Sequence, residues 1–243
     1  MSIRREHPTK QILPRQRESL VNGLKSFPPG TIPSFDLVPS YKSKVTIAKL
    51  TTNFTASLFY ENDQADEALG KPERVIFHWS AGRYNQAWDG YHYNIGFNDK
   101  TKTAVVMRCL GLNQKGKHLW GRNGGSVGIS LLAMANGFPV TEEQMQAAAR
   151  LAAEYCAWRH IDPRAKEIVP QMMSDSRASR IWATGKQITM PVVTDHARYA
   201  NEDGYGRWRN DIGTKFSPIY NELLKIYDGL KAGREKFQFQ AIL

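Results

Sequence analysis

Short apolar runs separated by turn residues fill the middle of the chain and predict β-strands there. Arg74–Trp79 is an apolar run of strand type, and residues 91–97 alternate between apolar and polar positions before a turn. Residues 104–109 then return as a partner strand, so these two segments predict a hairpin. Residues 127–134 form a continuous apolar run with glycines near both ends, which is typical of a buried central strand.

Two later segments have the apolar spacing of amphipathic helices. Thr141 is placed to cap the first, with Gln144 as its capping-box partner, and Pro163 should end it. Ser217 followed by Pro218 predicts the N-cap and first position of the second. The predicted buried positions are Met145, Ala148, Ala152, Tyr155 and Cys156 in the first helix, and Ile219, Leu223, Ile226, Tyr227 and Leu230 in the second.

Strands with helices on their faces predict an α/β fold, with a central mixed β-sheet flanked by helices and an extended N-terminal arm. We expect this domain over residues 71–235, after an arm and accessory segment (1–70) and before a short tail (236–243). Residues 1–45 are polar and interrupted by prolines, a composition typical of an extended arm. The pattern of residues 46–60 fits a short strand or a helix equally well.

Composition is compatible with one sizeable domain and several kinds of partner. The chain has 243 residues, of which 41% are hydrophobic, and a formal net charge of +10. That charge would suit nucleic acid, an anionic membrane surface or an acidic wall polymer. The Lys and Arg residues are scattered, however, without the cluster expected in a nucleic-acid-binding arm. No nucleic acid is therefore required as a partner, and many of these residues should simply form a solvated face.

The remaining sequence signals concern cysteine chemistry and location. Cys109 and Cys156 form no disulfide framework and no metal-ligand pair by their spacing, and Cys156 should be a small core residue. No apolar segment follows the basic N-terminus, and no stretch approaches the length of a membrane span. We expect a protein that is made in the cytoplasm without an export signal.

Three residues offer metal chemistry. His78 ends an apolar run, His196 follows Pro-Val-Val-Thr-Asp, and Asp211 lies in Arg-Trp-Arg-Asn-Asp-Ile-Gly. Two imidazoles and one carboxylate suit a catalytic zinc ion, which takes three protein ligands and keeps a fourth position for water. Their spacing matches no short metal motif, so from the residues alone an ordinary structural histidine remains the alternative for each.

The segments around these residues resemble the zinc-dependent N-acetylmuramoyl-L-alanine amidases of the type 2 family, which includes phage lysozyme-like amidases and peptidoglycan recognition proteins. The resemblance covers roughly residues 74 to 226. It rests on His78-Trp-Ser-Ala-Gly82, Gly90-Tyr-His-Tyr-Asn-Ile95 and Asn123-Gly-Gly-Ser-Val-Gly-Ile129, then a long helix, and finally His196 and Asp211, all in the family's order.

The resemblance implies an activity and a setting. His78, His196 and Asp211 would bind Zn²⁺, and the enzyme would hydrolyse the amide bond between N-acetylmuramic acid and L-alanine in peptidoglycan. It would act on the bacterial wall as a phage lysis enzyme released by a holin, or as a virion-associated hydrolase held to other virion proteins by its N-terminal arm.

The resemblance also suggests catalytic residues. Tyr91 occupies the position of a tyrosine close to the metal-bound water, with packing in the sheet as the alternative role. Arg209 stands where many members have a lysine that steadies the oxyanion, although the two side chains differ in size and reach. Ser130 replaces the glutamate that serves many bacterial members as general base, so the base would be the tyrosine or a residue elsewhere. Glu202 and Asp203 are further acids, for which solvation at the surface is the expected state.

Three residues are candidates for substrate binding: His118, Trp120 and Asn123. His118 lies near a family loop that borders the substrate groove, although an exposed loop histidine is an equal alternative. Side-chain alternation predicts that His92 faces away from the metal if Tyr91 faces it. The segment 164–190 is longer than in the family, with 174–182 a possible helix, and could form a wall of the groove.

Three other functions remain open at this stage. A relative that binds muropeptides without cutting them would share the fold, although such proteins typically lack a complete set of metal ligands. A zinc peptidase acting within the stem peptide would share the metal. A structural virion component would use residues 1–45 to bind another protein.

Overall fold

The computed structural model describes residues 36–38, 46–49, 59, 73–119, 121–134, 137–175, 180–203 and 211–239. Its strands are β1 Asp36–Val38, β2 Thr46–Lys49, β3 Arg74–Trp79, β4 Gln86–Trp88, β5 Tyr93–Asn98, β6 Thr103–Arg108, β7 Ser126–Leu131, β8 Lys166–Asp175, β9 Arg180–Pro191 and β10 Val193–Asp195. Its helices are α1 Glu142–Arg159, α2 His196–Glu202 and α3 Phe216–Lys231, with a 3₁₀ turn at Gly213–Lys215 before α3.

A six-stranded mixed sheet forms the centre of the fold, in the order β10-β3-β7-β5-β6-β2. Strand β3 is parallel to β10 and β7, and β7 is parallel to β5. Strand β6 is antiparallel to both β5 and β2. The predicted α/β class, the β5–β6 hairpin and the central position of β7 are therefore confirmed.

The N-terminal part of the chain adds two short strands. Thr46–Lys49 is a strand at one end of the sheet, which decides the alternative at the start of that segment, while residues 50–58 lie outside the described ranges. Of the expected arm, only Asp36–Val38 is described, and it pairs in parallel with Gln86–Trp88. The rest of the expected arm lies outside the described residues.

Alternation along β3 separates the core from the candidate site. Phe77 belongs to the main core between the sheet and helices α1 and α3, whereas Ile76 packs with Leu119 and Tyr199 on the opposite face. Because side chains alternate along a strand, His78 shares the face of Ile76. Helices α1 and α3 thus support the sheet from one side, and the candidate site lies on the other.

Helix α1 begins as predicted. The hydroxyl of Thr141 accepts the backbone N–H of Gln144, and the side-chain oxygen of Gln144 accepts the N–H of Thr141, which completes the capping box. The Gln144 amide also donates to the carbonyls of Ile95 and Leu132, so it fixes the start of the helix to the sheet. The helix ends at Arg159, ahead of Pro163, because His160 adopts a left-handed conformation with φ of 59°.

Helix α3 starts differently from the prediction. Its first residue is Phe216 and its N-cap is Lys215, without a side-chain capping bond, so the assignment of Ser217 as N-cap is wrong. The 3₁₀ turn leads directly into the helix and replaces the cap. Pro218 still falls within the first turn, where a missing N–H costs nothing because that position has no intrahelical acceptor.

The described residues of the segment 164–190 contain no helix, so the helix suggested for residues 174–182 is wrong. Strands β8 and β9 pair antiparallel over most of their length, from Lys166↔Pro191 to Asp175↔Arg180. Cross-strand pairing satisfies the backbone of both arms, and this long-range contact outweighs local propensity. Residues 176–179, at the tip, lie outside the described ranges.

The described chain ends against the core. Phe239 is buried in the main core, and the backbone N–H groups of Gln238 and Phe239 donate to the carboxylate of Glu154 in α1. Among the described residues, no helix combines the length and apolar character needed to cross a membrane.

Candidate metal centre

Two parallel strands bring the candidate histidines to the same edge of the sheet. His78 is the fifth residue of β3, and His196 is the first residue of α2, directly after β10. The register pairs Asp195 with Phe77. Each histidine comes directly after one of these two residues, so the two histidines are neighbours on adjacent strands. Side chains at the carboxyl ends of neighbouring parallel strands are well placed to share a ligand.

Asp211, the third candidate ligand, lies beside the two histidines. One possible ligand atom each of His78, His196 and Asp211 lies within 4.8 Å of the others. The Nδ1 atoms of His196 and His78 lie 2.9 Å and 3.5 Å from Oδ2 of Asp211. All three residues are buried.

The Asp211 carboxylate is fixed in place by backbone groups. Its Oδ1 accepts the N–H of Trp79 at 2.6 Å, directly after His78. Its own carbonyl accepts the N–H of Ala197, directly after His196. Each neighbour of a candidate ligand therefore holds Asp211, which leaves Oδ2 to face the two imidazoles.

Burial and mutual charge set the protonation states of this cluster. Burial lowers the pKa of His78, and this outweighs the opposing attraction of Asp211. Burial alone would raise the pKa of Asp211, but the hydrogen bond with His196 and the nearby His78 bring it below its ordinary value. A neutral imidazole beside an ionised carboxylate is the state that a metal ion requires of its ligands.

These residues fit a zinc ion. Nδ1 of His78 is buried and, among the described residues, has no hydrogen-bond partner, although it points at a carboxylate oxygen. Such orphaned polar atoms are rare because burial without a partner is costly, and a cation between the three ligand atoms would satisfy this one. Two nitrogen donors and one oxygen donor match a catalytic zinc site.

Tyr91 lies beside the cluster, just before β5. Its ring centroid is 5.1 Å from that of His78. Burial, and then the charge of Asp211, raise the pKa of Tyr91 above its ordinary value, whereas the nearby Ser130 hydroxyl opposes the rise. Tyr91 therefore keeps its phenolic proton at neutral pH.

Ser130 stands opposite His78 in the β3–β7 register, at the position where the resemblance expects a glutamate. The side chain is fully buried and faces the same side of the sheet as His78. A serine hydroxyl at this position cannot accept a proton at useful pKa, so no carboxylate takes the glutamate's place on β7.

His118 is inside the molecule, not on an exposed loop. The ring is 6% exposed, and its Nδ1 lies 3.1 Å from Nε2 of His78. Burial, and then the neighbouring His78 and His92, hold the pKa of His118 well below its usual range. Asn123, the second substrate candidate, accepts the backbone N–H groups of His118 and Leu119 through its side-chain oxygen, so it shapes the loop that carries His118.

His92 is held by the backbone. Its Nε2 lies 2.8 Å from the Gln114 carbonyl, and its Nδ1 accepts the N–H of Gly128. Its ring lies beside that of His118. Sequence reasoning missed the contact between His118 and His78, because it depends on how a loop folds over β7. A usable signal was Gly128, which interrupts an apolar run.

The remaining candidates divide into two groups. Arg209 and Trp120 lie outside the described residues. Glu202 is exposed at the end of α2, as expected, whereas Asp203 is buried and bonded to Arg122. The expectation of surface solvation was wrong for Asp203, because a buried arginine provides its charge partner.

The comparisons with known proteins give a structural likeness and a family. The chain resembles a solved structure of the Staphylococcus aureus hydrolase AmiA in complex with its ligand, with 12% identity, a TM-score of 0.43, and coverage of 95% of this chain and 98% of that one. No curated protein sequence matches significantly. The family model described as N-acetylmuramoyl-L-alanine amidase matches residues 53–202, more than half of the chain, and we conclude that the chain belongs to the N-acetylmuramoyl-L-alanine amidase family.

Proposed function

We propose that this protein hydrolyses the amide bond between N-acetylmuramic acid and L-alanine in peptidoglycan, with zinc as its cofactor. The observation that carries the proposal is the buried cluster of His78, His196 and Asp211, whose possible ligand atoms converge within 4.8 Å. Membership of the amidase family supports the choice of bond.

The three residues would hold the zinc ion through the two imidazoles and Oδ2 of Asp211. The ion would supply a Lewis acid that activates water and polarises the scissile carbonyl. The protein contributes ligands fixed before binding: Asp211 is held by the N–H of Trp79, and His78 is enclosed in the fold. Fixed ligands avoid the cost of ordering the site when the metal arrives.

Tyr91 would act as a neutral donor at this site. Its raised pKa keeps the proton on the phenolic oxygen, and its ring lies against His78. A donor of this kind stabilises negative charge that develops on the carbonyl oxygen. Arg209 is assigned the same task from sequence, with a positive charge that cannot be lost at neutral pH.

The substrate would lie along the face that carries His78. Trp120 and Asn123 are assigned to its border from sequence, and Asn123 would contribute by holding the loop over 118–119. The β8–β9 hairpin is proposed as a wall of the groove. Its Trp182 is 40% exposed and offers an aromatic surface of the kind that packs against sugar rings.

For the biological setting, we propose a phage lysis enzyme or a virion-associated wall hydrolase. The support is the resemblance to phage lysozyme-like amidases and the net charge of +10, which favours acidic polymers of the bacterial wall. In the virion-associated form, the N-terminal arm of residues 1–45 would bind other virion proteins.

The test is digestion of purified peptidoglycan with and without a chelator, followed by mass spectrometry of the products. We expect intact stem peptides with a free alanine amino group, released only when metal is present. Fragments cut within the stem would make the protein a peptidase. Tight binding to the wall without products would make it a recognition protein.

Two variants sharpen this test. Asp211→Ala should abolish both the products and the bound zinc, because it removes the anionic ligand. Tyr91→Phe should retain zinc and lower the rate by about 100-fold, the typical cost of one lost oxyanion donor. An unchanged rate in Tyr91→Phe would leave its ring with a packing role only.

A further inference from the structure

The rings of His118 and His78 meet at a hydrogen bond that the proposed reaction does not use. Nδ1 of His118 lies 3.1 Å from Nε2 of His78, on the opposite side of the His78 ring from Asp211. Both rings are buried. One nitrogen must donate and the other accept, and the direction decides which nitrogen of His78 is free to bind a metal.

The surroundings of Ser126 fix that direction. The hydroxyl of Ser126 donates to the carbonyl of Arg122 at 2.8 Å, and a hydroxyl has only one proton. Its oxygen also lies 3.4 Å from Nε2 of His118, so at this contact it can only accept. The proton of the His118 ring is therefore on Nε2, and Nδ1 carries a lone pair.

The position of the His118 proton also determines which nitrogen of His78 carries a proton. Since Nδ1 of His118 accepts, Nε2 of His78 must carry the proton and donate. A neutral imidazole has one N–H, so Nδ1 of His78 is left with a lone pair. This is the atom that lies 3.5 Å from Oδ2 of Asp211 and lacks a hydrogen-bond partner among the described residues.

We infer that His118 is a positioning residue, which selects the Nε2–H tautomer of His78 through a hydrogen-bonded chain from Arg122 by way of Ser126 and so presents Nδ1 of His78 as the metal ligand. The inference rests on the proposed function for the identity of the metal. In this role His118 acts through His78 rather than as a metal ligand itself.

The absence of a side chain at Gly128 makes room for the His118 ring. A Cβ atom added at Gly128 would come 2.5 Å from Cγ of His118, so only glycine at this point of β7 lets the imidazole lie against the strand. Gly128 is paired with Ile76, two residues before His78 on the same face. The side-chain oxygen of Asn123 accepts the backbone N–H of His118 and so fixes the position of this residue.

The experiment compares His118→Leu with His118→Asn in the full chain. Leucine fills a similar volume and cannot accept a hydrogen bond, whereas the asparagine side chain can place an acceptor oxygen near the position of Nδ1. Zinc affinity is measured by competition with a chelating dye. The tautomer of His78 is read in the metal-free proteins from long-range ¹H–¹⁵N couplings of the imidazole nitrogens.

We expect wild-type His78 to be the Nε2–H tautomer, and His118→Leu to mix the tautomers and weaken zinc binding by about 10–100-fold, the usual effect of losing a partner that orients a ligand. His118→Asn should remain within a few-fold of the wild type. Thermal unfolding of both metal-free variants checks that they fold.

Two results would overturn the inference: a wild-type His78 with its proton on Nδ1, or a folded His118→Leu protein with unchanged tautomer and zinc affinity. A wild-type protein that binds no zinc would refute the proposed cofactor instead. The tautomer measurement, which needs no metal, would still decide the role of His118.

Discussion

Burial lowers the pKa of His78, His92 and His118, and His92 gives the clearest case. Burial lowers the pKa of His92 to about 4, against an ordinary value of 6.5, despite its hydrogen bond to the Gln114 carbonyl. The unfolded chain therefore binds this proton more tightly than the folded protein does. Its contribution to stability is complete above pH 6.5 and is lost as the pH falls from 6.5 towards 4.

We predict that His92→Gln removes this component. A pKa difference of this size corresponds to about 3 kcal/mol, so the stability gap between wild type and variant should shrink by roughly that amount between pH 7 and pH 4. Urea unfolding across this pH range, with a chelator present, measures the gap. Taking the difference cancels the titration of groups that do not interact with His92, which both proteins share. Parallel stability curves would contradict the assignment.

Individual residues show where sequence reasoning succeeds and where it stops. His78, His196 and Asp211 could be chosen because each lies in a recognisable motif, and the structure brings them together. The partner of His78 could not be chosen, because His118 reaches it through a loop whose path depends on Gly128 and Asn123. Contacts made by loops depend on tertiary packing, which local patterns do not encode.

Among the secondary-structure elements, those with strong apolar periodicity were predicted correctly, whereas the β8–β9 hairpin was not. Strand β3 matches its predicted bounds, and α1 has the predicted capping box. The β8–β9 hairpin was missed because its strands pair with each other and because residues from elsewhere in the chain bond to the middle of β8. Pro170 and Met172 in β8 are bonded there to Arg122 and Asp203, residues far away in sequence.

The contact of Arg122 and Asp203 with β8 leads to a prediction about stability. Arg122 and Asp203 form a buried ion pair that links the loop after His118, strand β8 and the end of α2. Asp203→Ala would leave the Arg122 charge buried without its carboxylate partner. Breaking a buried pair in this way typically costs about 3–5 kcal/mol, so we expect a loss of that order in the free energy of unfolding.

Glu202→Ala is the matched control, since Glu202 is the adjacent acid on the same helix but is exposed. Its effect should stay within about 0.5 kcal/mol, the usual range for a surface substitution. Urea unfolding of both variants measures the difference. Equal, small losses in the two proteins would show that the stability of the fold does not depend on this ion pair.

For the whole molecule, the proposed metal would connect parts of the chain that are far apart in sequence. His78 belongs to the sheet, His196 begins α2, and Asp211 lies ahead of the 3₁₀ turn and α3. Besides the pairing of β3 with β10, the bonds from Trp79 and Ala197 to Asp211 connect these parts of the chain. An ion bound by all three residues would therefore stabilise the folded state over the unfolded chain, in which the ligands are separated.

We predict that zinc raises the melting temperature of the metal-free protein, by an amount set by its concentration relative to the dissociation constant. At a hundred-fold excess over that constant, linkage gives about 2.7 kcal/mol, which for a chain of this length corresponds to roughly 5–10 °C. Asp211→Ala should lose this shift, because two neutral imidazoles alone bind the ion weakly. Calorimetry with and without zinc measures both proteins; an equal shift in the variant would mean that the metal binds elsewhere and that the buried cluster is only a hydrogen-bonded element of the fold.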